Sequence, residues 1–228
     1  MSTPTPVIMM SDEQVISKYV EYLTVAIKFP KSNEVFKLRT YIQSIFNSNP
    51  TYYTKNKGNE IHNKSYAIYQ MNEILLVLKR LYFGYLKYDY LSSVSTNNFE
   101  VQTYKSLATN ALNEYNSYKL RTKITEDSSV KNDAKIDLLV FIQREINNYK
   151  KRNTTNELRK NKLTKLSDKQ KIDNDIKRDT DLLKTIQTLL NNKLIENASV
   201  SKIDIENKAN STSYIIQENY DEKCIGVC

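Results

Sequence analysis

Apolar residues recur three and four positions apart over long stretches of this chain, the spacing of one face of a helix. The first such stretch opens at Ser11, which forms a capping-box pattern with Gln14 and is followed by Asp12 and Glu13, suited to the positive end of a helix dipole. Val15, Ile16, Tyr19, Val20, Leu23 and Ile27 then fall on one side, and Pro30 ends the segment. Ser32 is placed to cap a second helix with Val35, Phe36, Leu38, Tyr41, Ile42, Ile45 and Phe46 on its apolar face, which "NSNP" at 47–50 stops. Residues 48–64 read as a loop. A long helix is predicted from about Ser65 to Leu91, with Ile68, Met71, Ile74, Leu78 and Leu81 spread round much of its circumference, so it should lie buried between neighbours. Gly84 inside it suggests a close helix crossing. A fourth helix carries Val101, Tyr104, Leu107, Ala108, Ala111 and Tyr115.

The back half has a different rhythm. A helix begins with Ile136, Leu139, Ile142, Ile146 and Tyr149 on one side. A second capping box, Ser167 with Gln170, precedes Ile172, Ile176, Asp179, Leu183, Ile186 and Leu190, which alternate at spacings of four and three. That is a heptad seam with one polar member, the pattern of a coiled-coil arm. Asp179 either fixes register from inside the seam or faces water. The predicted fold is therefore all-α. Residues 1–10 form a flexible lead, 11–123 a four-helix bundle, 132–195 a long basic helical hairpin, and 196–228 a polar, weakly ordered tail.

Composition supports helices over other classes. The chain of 228 residues has three Gly, four Pro, one His and no Trp. Gly58, Gly84 and Gly226 are too far apart for a Gly-rich phosphate loop. The richness in Asn, Lys, Ile and Tyr is what an A/T-rich gene encodes, as in many large DNA viruses and parasites. No apolar run reaches the roughly 18 residues of a membrane span, and the first residues lack the basic region of a signal peptide. The expected location is intracellular, with a virion as a further setting.

Charge is concentrated. The net charge is +8, and the stretch "KKRNTTNELRKNKLTKLSDKQK" at 150–171 holds nine Lys and Arg against Glu157 and Asp168, a net of +7. Lys150, Lys151, Arg152, Arg159, Lys160, Lys162 and Lys165 are the candidate contacts to phosphate or another polyanion. Only Tyr149 adjoins the run, whereas single-strand binders interleave aromatics to stack on bases. The competing account is the solvated surface of a hairpin tip, offset by the acids of the last helix.

Candidate chemistry is otherwise sparse. His62 is the single histidine, expected on an exposed loop, so no Ser-His-Asp or Cys-His arrangement is visible. Cys224 and Cys228 are too few for a structural zinc site and read as two thiols on a tail, with a disulfide as the alternative. Asp173, Asp175, Asp179 and Asp181 read as a solvated helix surface rather than metal ligands. No catalytic residue, cofactor or metal is expected. Tyrosine is the exception to this plainness. Tyr82, Tyr85, Tyr88 and Tyr90 crowd one helix end, more than a single buried stripe uses, and tyrosine is favoured at interfaces. The leading expectation is a non-enzymatic structural or scaffolding protein in a larger assembly, such as a virion or capsid. It would meet other protein subunits through these tyrosines and through Ile172, Ile176, Leu183, Ile186 and Leu190. The alternative is a nucleic-acid-binding module using the basic run.

Overall fold

The structure is a computed structural model that describes residues 10–48, 50, 53–197 and 200–216. The described residues form seven helices and no strand: α1 (Asp12–Lys28), α2 (Asn33–Ser48), α3 (Lys55–Val94), α4 (Asn98–Thr122), α5 (Ser128–Lys162), α6 (Leu166–Glu196) and α7 (Lys202–Asn210). The all-α class read from the sequence is correct. The helices fall into two compact units, Met1–Leu75 and Leu76–Cys228, so the division lies inside α3 and not after residue 123. The physical reason is that α3 runs ten residues further back than its apolar pattern suggests. Its first turns serve one core and its last turns another.

In unit 1, the Ser11 capping box forms as expected, with Gln14 N–H donating to Ser11 Oγ at 3.3 Å and Ser11 N–H to Gln14 Oε1 at 2.9 Å. Val15, Ile45, Tyr53 and Ile61 make the core, with Phe46 edge-on to Tyr53 at 4.8 Å. Thr54 replaces the expected loop with a helix start, its hydroxyl accepting from Lys57 N–H. His62 consequently stands on α3, exposed, and not on a loop. Ile68 and Met71 are 43% and 45% exposed, which corrects the expectation of a helix buried all round.

Unit 2 is organised by α5. Leu138, Leu139, Val140 and Ile142 are all at most 3% exposed although they project to different sides of the helix. The expected one-sided face is therefore too narrow. Phe83 and Tyr90 of α3, Leu183, Ile186 and Leu190 of α6, and Ile205 and Ile216 near the C-terminus join these residues in one core. Gly84 needs no special explanation, because a Cβ there would meet that of Ala111 at an ordinary 3.8 Å.

α4 ends on Lys123, whose φ of 58° lies in the left-handed region that Gly usually fills at this position. The next turn is tied by Asp127, at the start of α5. Its carboxylate accepts from the Tyr115 hydroxyl and from Lys119 Nζ at 2.8 Å, and Lys131 Nζ lies at 3.3 Å. Burial pushes this carboxyl up, but the hydrogen bonds from Lys119, Tyr115 and Lys131 outweigh it and hold the group at about 2. Burial and then the bond to Asp127 push the Tyr115 hydroxyl upward.

The expected loose tail is partly ordered. Ser201 caps α7 by accepting from Asp204 N–H at 3.1 Å. Ile205 is fully buried and Ile216 6% exposed. Arg144 of α5 reaches three backbone carbonyls of this segment, Ala209 at 3.3 Å, Ser211 at 3.4 Å and Tyr214 at 2.5 Å. These include carbonyls at and beyond the end of α7, which lack partners inside the helix. The Tyr214 hydroxyl donates to Asp137 Oδ1 at 2.6 Å, and Lys79 pairs with Asp137 Oδ2 at 2.9 Å. The tail was read as polar, yet two isoleucines and one arginine suffice to dock it.

Two outcomes are expected. Ile205→Ala should cost about 2–5 kcal/mol in urea unfolding, the range for a buried large-to-small change. Ile203→Ala, at a residue 68% exposed, should stay within about 0.5 kcal/mol. For Asp127, a folded value below its ordinary 3.8 means that its stabilisation is complete above that ordinary value and disappears as pH falls through about 2. The stability difference between the native chain and Asp127→Asn should therefore shrink by about 2 kcal/mol across that acid window, measured by unfolding at stepped pH.

Candidate interaction surfaces

The connection between α5 and α6 is only Leu163–Lys165, so the two helices must turn back on each other. Side-chain pairs confirm an antiparallel register. Lys160 near the end of α5 meets Asp173, whereas Arg152 and Asn153, two turns earlier, meet Asp179 and Thr180 further along α6. Extended further, that register sets Ile186 opposite Ile146 and Leu190 opposite Ile142, all members of the unit 2 core. The second capping box is not used: α6 starts at Leu166 with Lys165 as its cap, ahead of Ser167.

The seam is therefore satisfied within the chain. Ile172, Leu183, Ile186 and Leu190 are buried and Ile176 is half-buried. They offer no apolar stripe to another subunit in this conformation, which corrects the expected use of the seam as an outward contact. The hairpin closes on its own seam because its loop is short, and a folded-back partner is always at hand.

The tyrosines are also largely engaged inside unit 2. Tyr82 packs on Tyr115 of α4 with ring centroids 5.1 Å apart, Tyr88 stacks on Tyr104 of α4 at 6.4 Å, and Tyr90 meets Phe141 of α5 edge-on at 6.1 Å. Tyr85 contacts Tyr82 at 5.6 Å. Tyr90 is 2% exposed and its hydroxyl has no hydrogen-bond partner. Burial pushes that hydroxyl well above the ordinary phenol range. Five aromatics fit on one helix end because α4 and α5 take up Tyr82, Phe83, Tyr88 and Tyr90 between them, while Tyr85 lies against Tyr82 of its own helix.

The basic run divides into two groups. Arg152 donates from Nε to Asp179 Oδ2 at 2.5 Å and lies over the Tyr149 ring at 4.6 Å. Lys160 is paired with Asp173. The bond to Asp179 raises the Arg152 guanidinium further. Lys150, Lys151, Arg159, Lys162 and Lys165 are exposed. Arg159, Lys160 and Lys162 form the last turn of α5, where cations are favoured by the negative end of the helix dipole. Part of the basic excess thus has a local structural cause.

Asp179 is 1% exposed, so the polar seam member points inward. It lines a cleft of about 670 Å³ in unit 2, between the end of α3, the start of α4 and the α5–α6 hairpin. Sequence reasoning marked Asp179 as anomalous but had no means of seeing the cleft, since its walls come from four separate helices.

In unit 1, His62 Nδ1 lies 3.0 Å from the Tyr19 hydroxyl, and its ring stacks on Tyr66 at 6.4 Å. With Tyr19 edge-on at 5.4 Å as well, the three rings form an aromatic cluster in unit 1. Cys224 and Cys228 lie outside the described residues. Among the described residues, no group of three or more His, Cys, Asp or Glu converges to hold a metal ion, and no helix is long and apolar enough to cross a membrane. Comparison with known proteins gives no match: no family model, no curated protein and no solved structure matches this chain.

The Arg152–Asp179 pair generates a prediction. Removing the guanidinium leaves a buried carboxylate without its cation, so Arg152→Ala should lower unfolding stability by about 1–3 kcal/mol. That is the lower part of the cost of breaking a buried pair, because Arg152 is 51% exposed. Lys151→Ala, one residue away, should change it by no more than about 0.5 kcal/mol.

Proposed function

We propose that this chain is a non-enzymatic structural or scaffolding protein that works by protein-protein contact in a larger assembly. The observation that carries this reading is the exposed apolar surface of unit 1. Phe29, Phe36 and Ile27 are 64%, 68% and 55% exposed, alongside Ile68 and Met71 on α3. A unit with so small a core and so many large apolar side chains in water has association as its natural use. The contact is assigned to unit 1 rather than to the seam or the tyrosines, which are engaged internally.

The contact we propose is between copies of this chain. Residues 1–75 carry eight Lys and Arg against six Asp and Glu, a net of +2, so +6 falls in residues 76–228. Copies repel least through unit 1, where Phe29 and Phe36 stand exposed. A virion or capsid is the setting that the A/T-rich coding suggests for such an assembly.

The exposed Lys150, Lys151, Arg159, Lys162 and Lys165 favour a second reading, a polyanion grip at the hairpin tip without base readout. One set of measurements separates the two. Sedimentation should show self-association that Phe36→Lys abolishes while helicity is kept. Binding to a short DNA duplex should be weak and flat across a salt series. A monomer at all concentrations together with affinity that falls steeply with salt would overturn the first reading in favour of the second.

A further inference from the structure

The tip of the α5–α6 hairpin combines unpaired charge with uncovered apolar surface. No member of the unit 2 core lies between Lys150 and Lys171, so α5 runs on from Lys150 to Lys162, about 20 Å of helix, without contributing to it. The net charge of 150–171 is +7, and setting Asp173 and Asp179 against Lys160 and Arg152 still leaves +5. None of Lys150, Lys151, Arg159, Lys162 and Lys165 makes an ion pair with another described residue.

The leucines of the tip are the second observation. Leu158 and Leu166 are 61% and 71% exposed, and half-buried Leu163 stands in the connection between them. α5 meets α6 here through Asn153 and Lys160. Leu158, two residues from Lys160, points about 200° away from it, to the outer side of the hairpin. Lys151 and Lys162, seven residues before and four after, share that outer side. A single exposed leucine is ordinary, but these stand at one end of a hairpin, each beside cations.

A phosphate backbone accounts for the cations but gives the leucines nothing to pack on, and residues 150–171 hold no aromatic to stack on a base. A second copy would bring the same positive tip and be repelled. An anionic bilayer supplies both complements, negative charge at the headgroups and acyl chains just below them. Two helices joined by Leu163–Lys165 form a convex end, a shape that enters a fluid surface more readily than it holds a peptide.

We propose that the tip of this hairpin docks on an anionic lipid surface. Leu158, Leu163 and Leu166 enter the acyl boundary, and Arg159, Lys162 and Lys165 lie against the headgroup phosphates. Leu158 is about 6 Å from the end of α5, within the roughly 5–10 Å to which interfacial helices sink. The docking is peripheral, and it does not rest on the contact between copies assigned to unit 1.

The test is sedimentation of the full chain with vesicles of phosphatidylcholine alone and of equal parts phosphatidylcholine and phosphatidylserine, beside titration with a short DNA duplex at the same salt. Binding to the mixed vesicles is expected, with little to phosphatidylcholine alone and less to the duplex. Lys162→Glu with Lys165→Glu should weaken vesicle binding roughly twentyfold or more, at about fivefold per lost cation. Leu158→Ser with Leu166→Ser should weaken it roughly tenfold. All four residues are exposed, so helicity should be kept. Lys37→Glu with Arg39→Glu makes the same charge change at exposed positions of α2 and should weaken binding far less. The proposal is overturned if the mixed vesicles are not bound, if phosphatidylcholine alone is bound as well, or if the duplex binds more tightly than the vesicles. It is equally overturned if the leucine pair has no effect, which would leave charge attraction alone, or if the α2 pair weakens binding as much as the tip pair.

Discussion

Unit 2 depends on the burial of α5 from every side. A helix that presents Leu138, Leu139, Val140 and Ile142 in succession cannot satisfy them against one neighbour, because successive residues point about 100° apart. It must be sheathed. α3 supplies Phe83 and Tyr90, α6 supplies Ile186 and Leu190, and the remaining side is closed by α7 and the segment to Ile216. The order of the C-terminal segment follows from this demand, and Arg144 and Asp137 hold it by hydrogen bonds at the edge of the apolar contact.

The same hairpin shows how charge is managed. α5 becomes basic where it leaves the core, and α6 returns past it with acids, so Lys160 and Arg152 find Asp173 and Asp179. An inward Asp179 is a poor source of stability, since desolvating a pair takes back much of its attraction. A slide of the seam by one heptad would part Asp179 from Arg152 and leave a buried carboxylate without that partner. The buried Oδ1 without a hydrogen-bond donor is the cost of that arrangement.

Unit 1 follows a different logic. Its core rests on Val15, Ile45, Tyr53 and Ile61, while Phe29 and Phe36 remain in water. Small units bury a lesser share of their surface than large ones, and three short helical segments cannot cover all the apolar residues they carry. The functional weight placed on unit 1 rests on this imbalance. Of the features that stood out more in the sequence, Tyr90, Leu183, Ile186 and Leu190 belong to the unit 2 core, while Tyr82, Tyr85, Tyr88 and Ile176 are half-buried.

Local patterning by itself determined that the chain is helical, where Ser11 starts α1, and that residues 172–190 carry a narrow apolar stripe. These are properties of neighbours three and four apart, and they survive whatever the helices pack against. Tertiary structure alone decided what each stripe faces. Periodicity cannot tell a stripe that meets another subunit from one that meets the returning arm of its own hairpin, and here the three-residue turn at Leu163–Lys165 made the choice. Nor does it reveal that Lys55–Ser65 is helical without an apolar face, that a polar tail docks through Ile205 and Ile216, or that four helices enclose a cleft over Asp179. Each of those depends on residues far apart in the chain meeting in space, which no window along the sequence contains.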